Sequence, residues 1–256
     1  MGTRGITIVP AHADDIPTLA TICEESFESD SQTEMKAHGK KPFSMKEYSL
    51  GSLPGLLKNP KARVVKAVDA STGVIMGHII WGFRGIQPPI ISSEDTAIPA
   101  GSAVQAPPDK TEDQDKKEPD AQVEEKEEAD DHIARLEKLT GEDFEDWRKA
   151  IMGEGVRCIY VIGLYVSPSY QRRGVGSALL KWGTDLSDAS GAFAWVHSSA
   201  GAWPAYEKAG FKTMRILDVD LDLYAPVPAP ANRYAGGKWG HYVFRYMIHG
   251  TPPRMG

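Results

Sequence analysis

The sequence predicts a mixed α/β (α+β) fold, in which a central sheet is flanked by helices. Extended apolar segments alternate along the 256-residue chain with segments of helical periodicity. Residues 63–69, "RVVKAVD", and 74–85, "VIMGHIIWGFRG", have the composition of two strands, and the four residues "ASTG" between them indicate a hairpin. Residues 14–27, "DDIPTLATICEESF", repeat apolar side chains at helical spacing. Apolar residues make up 41% of the chain, which is enough for a substantial core.

The remaining elements follow from the same patterns. Residues 5–10 alternate like a short strand, and Asp14 or Asp15 is placed to cap the helix that follows. Pro204 suits the first turn of a short helix late in the chain. The later predicted elements are a strand in 157–168, a helix after Gly174, a strand in 192–199, a helix in 203–211, and strands in 213–224 and 241–250.

Charge is concentrated in one segment. The formal net charge is −6, but residues 109–131 alone hold twelve acidic residues and four lysines. The rest of the chain therefore carries a net charge of +2 and has no basic stripe suited to nucleic acid. Such a charged run, preceded by small residues and proline, predicts a disordered acidic linker over about 99–131.

This linker is part of a predicted insertion at 86–152, whose latter part, about 122–152, has helical periodicity. Two helices are expected there, because Thr140 and Asp143 form a capping-box pattern at the start of the second. We expect this second helix either to cover the core or to act as a lid. Its shared apolar face consists of Phe144, Trp147 and Ile151.

The cysteines and the hydropathy pattern bear on the compartment. Cys23 and Cys158 are far apart and form neither a C-x-x-C motif nor a zinc-ligand spacing, so we expect a reducing environment and no metal. No apolar run approaches the ~18 residues that a membrane span requires. The sequence therefore predicts a soluble cytoplasmic protein without a membrane partner.

Residues 171–176, "QRRGVG", lie between a predicted strand and a predicted helix. A helix N-terminus presents unpaired N–H groups and a partial positive charge, and glycines allow an anion to approach it closely. Arg172 and Arg173 add permanent charge, so the segment suits a phosphate or pyrophosphate. Leu179 occupies the position of the third glycine in G-x-G-x-x-G, and no P-loop sequence is present, so neither a dinucleotide nor a nucleoside triphosphate is favoured.

Two motifs together resemble the GNAT superfamily of acyl-CoA-dependent N-acetyltransferases, in particular fungal-looking members. The first is Q/R-x-x-G-x-G/A at 171–176, and the second is Y-x-x-x-G-F at 206–211. The resemblance is strong over 159–211 and implies a single N-acetyltransferase domain over 1–256. It also implies a mostly antiparallel twisted sheet of about six to seven strands, splayed apart at the cofactor site.

The resemblance implies acetyl-CoA as co-substrate, with its pyrophosphate on the loop from Gln171 to Ser177 and its pantetheine beside the strand that contains Leu164 and Val166. A backbone N–H near Leu164 would polarise the thioester carbonyl. Ser199 stands where many relatives carry Asn. The cofactor-binding residues expected on this basis are Leu164, Tyr165, Val166, Gln171, Arg172, Arg173, Gly174, Val175, Gly176, Ser177 and Ser199.

The resemblance also assigns Tyr206 as the acid that protonates the CoA thiolate. Many relatives carry a glutamate on the strand at 192–199, but here His197 is the only strong titratable group, so it is our candidate for the base. A structural role for His197 is the competing interpretation. Other candidates for the base are His78, Glu24, Glu25, Asp30, Asp218, Asp220 and Asp222.

In this superfamily the acceptor groove is built by the first helical region and the loop before the last strand, here residues 28–48 and 225–242. We expect the acceptor to be the primary amine of a small molecule. One alternative is a protein N-terminus or lysine, and another is a non-catalytic acyl-CoA-binding module. The oligomeric state stays open. The second segment contains aromatic side chains that would either line a pocket or, as we favour, anchor the loop, namely Tyr234, Trp239, His241 and Tyr242.

Overall fold

A seven-stranded sheet forms the centre of the protein in a computed structural model that describes residues 5–89 and 131–252. Its spatial order is β1-β2-β3-β4-β5-β7-β6, and every neighbouring pair is antiparallel except β4 and β5. This confirms the mostly antiparallel sheet and the hairpin at "ASTG". The strands are β1 (Ile6–Pro10), β2 (Ala62–Asp69), β3 (Ile75–Arg84), β4 (Cys158–Val166), β5 (Phe193–Ser198), β6 (Lys212–Asp220) and β7 (His241–His249).

Six α-helices flank the sheet in the described residues. The sequence analysis placed a helical region at 28–48 by resemblance but gave no bounds for α2, which lies within it, or for α3, which begins in it and continues to Lys58. In α3 only Ser49 and Leu53 are buried, and Pro54 lies inside the helix, so its periodicity is weak. The helices are α1 (Ile16–Phe27), α2 (Ser31–Lys36), α3 (Met45–Lys58), α4 (His132–Ile151), α5 (Val175–Ala189) and α6 (Trp203–Lys208).

Both faces of the sheet are covered, which explains why β3 reads as a nearly continuous apolar run. On one face, Leu179 and Leu180 of α5 pack against Ile79 and Trp81. The opposite face is covered by α1 and α3, with Leu19 and Leu53 beside Ile80, and by α4 over β5 and β7. The cleft described below opens at the level of the sheet, between these two helical layers.

The segment 131–152 forms one continuous helix, so the prediction of two helices with a cap at Thr140 and Asp143 is wrong. Asp131 caps α4 by accepting hydrogen bonds from the N–H groups of Ile133 and Ala134, at 3.0 and 3.2 Å. The Thr140 hydroxyl donates to the carbonyl of Leu136 at 3.0 Å, as threonine does inside a helix. The acidic linker and the start of the predicted helical segment lie outside the described residues.

The cap predicted for the N-terminus of α1 is also wrong. Neither Asp14 nor Asp15 caps α1 with its side chain. Instead, the carboxylate of Asp15 accepts the backbone N–H of His12 at 2.7 Å and pairs with the Lys66 ammonium at 2.6 Å. This ion pair fastens the start of α1 to β2, and the N-terminus of α1 relies on Pro17 in its first turn.

Over residues 5–89 and 131–252, none of the helices combines the length and the apolar character needed to cross a bilayer. Within the same ranges, no three His, Cys, Asp or Glu side chains come together as a metal site would require. Cys23 and Cys158 are both free and buried.

Candidate active site

A cleft opens in the sheet where β4 and β5 part. Their parallel pairing extends only from Cys158 opposite Phe193 to Val161 opposite Val196. There β4 contains a bulge, because Ile80 pairs with Gly163 while the next residue of β3 pairs with Val161, which leaves Ile162 as an extra residue. Bulges bend a strand and increase its twist, so β4 turns away from β5 beyond this point.

Gly163 is needed beside this bulge for a packing reason. The ring of Tyr165 folds back over it, so that a Cβ at position 163 would lie 2.5 Å from Tyr165 Cε2. Tyr165 in turn stacks on His78 with the ring centroids 4.9 Å apart. A larger residue at 163 would therefore displace the ring that fixes this part of β4.

The open edge of β4 presents unused backbone groups to the cleft. The N–H of Ser167 donates to the carbonyl of Met76 at 3.0 Å, so alternate residues before it, including Tyr165, direct their peptide groups toward β3. By the same alternation, Leu164 and Val166 direct theirs toward the cleft, where the Val166 carbonyl already accepts a hydrogen bond from the Gln171 amide. An extended ligand can pair with these groups as an additional strand would.

The N-terminus of α5 also faces this cleft. The first helical hydrogen bond runs from Ala178 N–H to Gly174 C=O at 2.9 Å, so the N–H groups of Val175, Gly176 and Ser177 have no partner within the helix. Gly174 has φ +91°, and a Cβ added there would meet nothing within 4 Å. At Gly176 an added Cβ would touch only Val166 Cγ2, at 3.7 Å. The space in front of three free donors is therefore open to an anion.

The loop before α5 is held in a conformation that supports this donor array. Arg172 has φ +59°, which is uncommon for a residue other than glycine, and successive peptides in such a turn point their N–H groups into one concavity. The Gln171 amide fastens the loop to β4 by donating to the carbonyl of Val166 at 3.1 Å. The geometry and the donor set fit the pyrophosphate that the sequence analysis assigned to this loop.

A cavity of about 760 Å³ joins the open edge of β4 to the N-terminus of α5 and extends to α2. Two of the predicted site residues do not line it. The guanidinium of Arg173 lies over the ring of Tyr170, 5.5 Å from its centroid, and the side chain of Val175 is buried in the core. The predicted residues that do line the cavity are Leu164, Tyr165, Val166, Gln171, Arg172, Gly174, Gly176, Ser177, His197, Ser199 and Tyr206.

Tyr206 is positioned by α6, where its ring meets Phe211 edge to face with the centroids 5.6 Å apart. Only 4% of the residue is exposed, and this burial raises the pKa of its phenol far above the usual value. Tyr206 therefore keeps its proton at neutral pH and is able to donate a hydrogen bond or a proton.

His197 lies at the end of β5 between aromatic rings. It stacks on Tyr246 and Phe244, with centroids 4.5 and 4.8 Å away, and Phe144 of α4 approaches to 5.4 Å. Its Nε2 is buried without a hydrogen-bond partner, and burial lowers the pKa of the imidazole to about 4. His197 is therefore neutral at physiological pH and holds an added proton weakly. Its contact with Phe144 shows that α4 packs against this part of β5.

Among the other candidates for the base, Asp30 is the one that lines the cavity. His78 is fully buried, its Nε2 lies 3.6 Å from Cys23 Sγ, and burial lowers its pKa to about 3. Glu25 lies outside the cavity lining and accepts a hydrogen bond from the Ser167 hydroxyl at 3.1 Å. Glu24 also lies outside the lining.

The carboxylates of the "DVDLD" segment are engaged within the β6–β7 hairpin. Asp218 contacts His241 Nδ1 at 2.9 Å. Asp222 accepts hydrogen bonds from the backbone N–H groups of Trp239 and Gly240 at 2.9 and 3.2 Å. Asp220 caps the short 3₁₀ turn by accepting the N–H of Asp222. None of the three lines the described cavity.

The aromatic residues before β7 mainly hold their loop in place, as the favoured interpretation had it. The Trp239 indole donates to the Val227 carbonyl at 2.8 Å, and Tyr234 packs against Trp239 with the centroids 5.0 Å apart. Tyr242 is the exception, because it lines the cavity and its hydroxyl donates to Asp30 at 2.7 Å. Sequence reasoning named Asp30 only as one of several acids and did not pair it with Tyr242.

The profile of the acetyltransferase (GNAT) family matches residues 133–211, which run from α4 to the last residue of the Y-x-x-x-G-F motif. No match was found among curated protein sequences. Residues 133–211 thus match the acetyltransferase (GNAT) family, as the two motifs indicated, and this family in general uses acetyl-CoA.

Solved structures agree with this fold. Arylalkylamine N-acetyltransferase 2 from Aedes aegypti aligns with a TM-score of 0.55 at 12% identity, over 96% of this chain and 98% of that chain. The polyamine N-acetyltransferase of Drosophila melanogaster gives 0.54 at 14% identity, over 96% and 100%. A mosquito arylalkylamine N-acetyltransferase, like 5b, gives 0.51 at 18% identity, over 97% and 100%. At these identities the likeness establishes the fold alone.

Proposed function

We propose that this protein transfers the acetyl group of acetyl-CoA to the primary amine of a small molecule, by direct attack within a ternary complex. One observation carries the proposal. A single cavity is shared by the open edge of β4, the free N–H groups of α5, the Tyr206 phenol and the Asp30 carboxylate. These are the groups that a thioester, a pyrophosphate, a leaving thiolate and an amine would each require.

The residues that would hold acetyl-CoA act mainly through their backbone. The N–H groups of Val175, Gly176 and Ser177 would bind the pyrophosphate, with Arg172 adding charge. Leu164 and Val166 would pair with the pantetheine arm. When bound, acetyl-CoA supplies an acetyl group activated as a thioester.

The backbone N–H of Leu164 is our candidate for the donor that polarises the thioester carbonyl. It lies just beyond the bulge of β4, where the strand edge is open. Such a donor is effective because it is fixed before the reaction begins. Tyr206 would serve the leaving sulfur, to which it donates first a hydrogen bond and then its proton.

The proton balance of the reaction shows which proton transfers the site must also support. A nitrogen–carbon bond forms while the carbon–sulfur bond breaks, and the electron pair leaves with the sulfur. One ammonium proton goes to a base or to solvent, a second proton reaches the sulfur through Tyr206, and the nitrogen restores the proton of Tyr206. Deprotonation matters because an alkylammonium of pKa ~10.4 is neutral in only about one molecule in a thousand at pH 7.

His197 and Asp30 both face the cavity and are our two candidates for the first of these proton transfers. With a pKa of about 4, His197 would hold a proton taken from the amine only weakly, and its contact with three aromatic rings suits a structural role. A His197→Ala variant that loses less than tenfold in kcat would remove His197 as the base.

The acceptor end of the cavity supports a small acceptor. Glu34 of α2 binds Arg233 at 2.9 Å and the Tyr234 hydroxyl at 2.7 Å, so the loop before β7 is fastened to the helix that is capped by Asp30 of the cavity lining. Structural neighbours named for arylalkylamine and polyamine acetylation point to the same class of acceptor. The two free, buried thiols support action in a reducing compartment such as the cytoplasm.

A panel of acceptors tests the proposal. Purified protein is mixed with acetyl-CoA and, separately, with alkylamines, polyamines, amino sugars, arylamines, and peptides with a free N-terminus or lysine. Release of the CoA thiol is followed, and products are identified by mass. Acetylated small amines are expected. Turnover only on peptides would favour a protein acetyltransferase, and tight acetyl-CoA binding without turnover would favour a non-catalytic acyl-CoA-binding module.

A further inference from the structure

The charges that line the cavity are unevenly distributed. Among the described residues of the lining, Asp30 is the single carboxylate, and it lies at the N-terminal end of α2. The lysine and arginine of the lining, Lys208 and Arg172, belong to α6 and to the loop before α5. An anionic ligand is thus attracted to the α5 side of the cavity, whereas a cation is attracted to Asp30.

The Asp30 carboxylate is held by groups on two separate elements. Its Oδ1 accepts the backbone N–H of Thr33 at 2.9 Å, and its Oδ2 accepts the Tyr242 hydroxyl at 2.7 Å. Tyr242 is 2% exposed and anchored in β7, so the phenol has little freedom to move. Each carboxylate oxygen can accept more than one hydrogen bond, which leaves capacity directed toward the cavity.

Tyr242 also connects Asp30 to the end of β5. The Ser199 side chain and the Ala200 backbone face its phenol oxygen, and both lower the pKa that burial and Asp30 raise. Because burial is the larger influence, the phenol keeps its proton and remains a donor to Asp30. The carboxylate is thereby fixed beside the residues that follow β5, where the strands part.

Three serines share the cavity wall with the carboxylate. Ser26, Ser29 and Ser31 all line the cavity and lie within four residues of Asp30 in the sequence. The Ser26 hydroxyl donates its proton to the Cys23 carbonyl at 2.9 Å, so its lone pairs stay available as acceptors. A primary ammonium has three donors, and one carboxylate with neighbouring hydroxyl oxygens can satisfy them.

We propose that Asp30, positioned by Tyr242, binds the ammonium group of the acceptor, so that the acceptor is an aliphatic primary amine that is cationic in solution. This inference rests on the proposed function and specifies its substrate class. Arylamines, which are neutral at pH 7, lack the charge that Asp30 recognises. Amino compounds with a carboxylate beside the amine are also disfavoured, because that carboxylate would approach Asp30.

Substitution of Asp30 by asparagine isolates the charge from the fold. Asparagine caps helices about as well as aspartate, so Asp30→Asn keeps the bond to the N–H of Thr33 and with it the start of α2. Glu28→Gln is the matched control. It also removes one negative charge, two residues before Asp30, but the Glu28 side chain is exposed and lies outside the cavity lining. Tyr242→Phe removes only the group that positions the carboxylate.

The test measures binding by calorimetry in the presence of CoA, with 2-phenylethylamine as the cationic probe and 2-phenylethanol as its neutral counterpart. We expect the wild type and Glu28→Gln to bind the amine equally. Asp30→Asn should weaken amine binding at least tenfold, and Tyr242→Phe should weaken it less, while CoA affinity stays constant in all four proteins. Binding of 2-phenylethanol should not depend on Asp30.

Equal amine affinity in Asp30→Asn and wild type, or equal affinity of the wild type for the amine and the alcohol, would overturn the inference. Neither result would contradict the proposed function, which is contradicted separately if the wild type acetylates no amine. Amine binding that depends on Asp30 without acetyl transfer would keep the ammonium site and remove the proposed reaction.

Discussion

Gly176 offers a test in which stability and ligand binding should change in opposite directions. Its Cβ position is open apart from Val166 Cγ2 at 3.7 Å, so alanine fits without displacing the protein. Replacing a helical glycine by alanine contributes up to ~1 kcal/mol, less near the helix end. Gly176→Ala should therefore fold at least as stably as the wild type, and Gly176→Leu should fold while filling the space in front of α5.

The cost to CoA binding follows from the donors that this space exposes. Three N–H groups, those of Val175, Gly176 and Ser177, lack helical partners, and a hydrogen bond to a charged group contributes ~1.5–3 kcal/mol. A leucine that displaces the pyrophosphate from two of them would cost ~3–6 kcal/mol, which is at least a hundredfold in Kd.

Calorimetric titration with CoA measures this effect, and thermal unfolding checks the fold. Acetyl-pantetheine, which lacks the phosphates, is the internal control, because its kcat/KM should change little in Gly176→Leu. CoA affinity within threefold of the wild type in a folded Gly176→Leu protein would refute the assignment of the pyrophosphate to this loop.

Three further predictions concern single side chains. Tyr206→Phe should lower kcat at least tenfold while the Kd for CoA stays unchanged, and unchanged turnover would remove its role as acid. His197 has a pKa of about 4 in the folded protein against 6.5 when unfolded, so only the unfolded state takes up its proton between these values. Folding stability should therefore fall as the pH drops from 6.5 toward 4, by up to ~3 kcal/mol from this residue, and His197→Phe should flatten that fall in chemical denaturation at each pH. Tyr246→Phe removes the 2.5 Å hydrogen bond to Asp143 that fastens α4 to β7, so it should lower Tm by roughly 4–8 °C in calorimetry, for a loss of about 2 kcal/mol. A Tm within 1 °C of the wild type would show that this bond does not secure α4.

The strands and α1 were predictable from sequence because their signals are local. The alternation in 63–69 and the turn residues 70–73 define β2 and its hairpin without reference to the rest of the chain. The two motifs that carry the family resemblance are likewise local, and each contains its own turn glycine. Such features can be predicted without any three-dimensional information.

Other features depended on context that spacing does not contain. The capping-box pattern at Thr140 and Asp143 suggested the start of a second helix. In the fold, α4 stays continuous because both of its halves are packed, Leu136 in one apolar cluster and Trp147 and Ile151 in another. The α3 helix was missed because little of it is buried. These are cases in which tertiary contacts outweigh local propensity.

The pairing of Asp30 with Tyr242 shows most clearly what could not be predicted from sequence. Asp30 and Tyr242 are 212 residues apart, and each has an ordinary local explanation, as a helix cap and as a strand aromatic. A helix cap could have been inferred from "DSQTE", in which Asp30 precedes Thr33 by three residues. Their pairing follows only from the sheet order, which brings β7 next to β5 and so next to the cleft.

Two-substrate kinetics with labelled acetyl-CoA test the central claim most directly. Initial rates of CoA-thiol release are measured over a matrix of acetyl-CoA and alkylamine concentrations, and the labelled acetyl group is located by mass. Direct transfer in a ternary complex predicts intersecting double-reciprocal lines, with the label on the amine nitrogen and none on the protein. Parallel lines with labelled protein, or thiol release that does not depend on the amine, would contradict it.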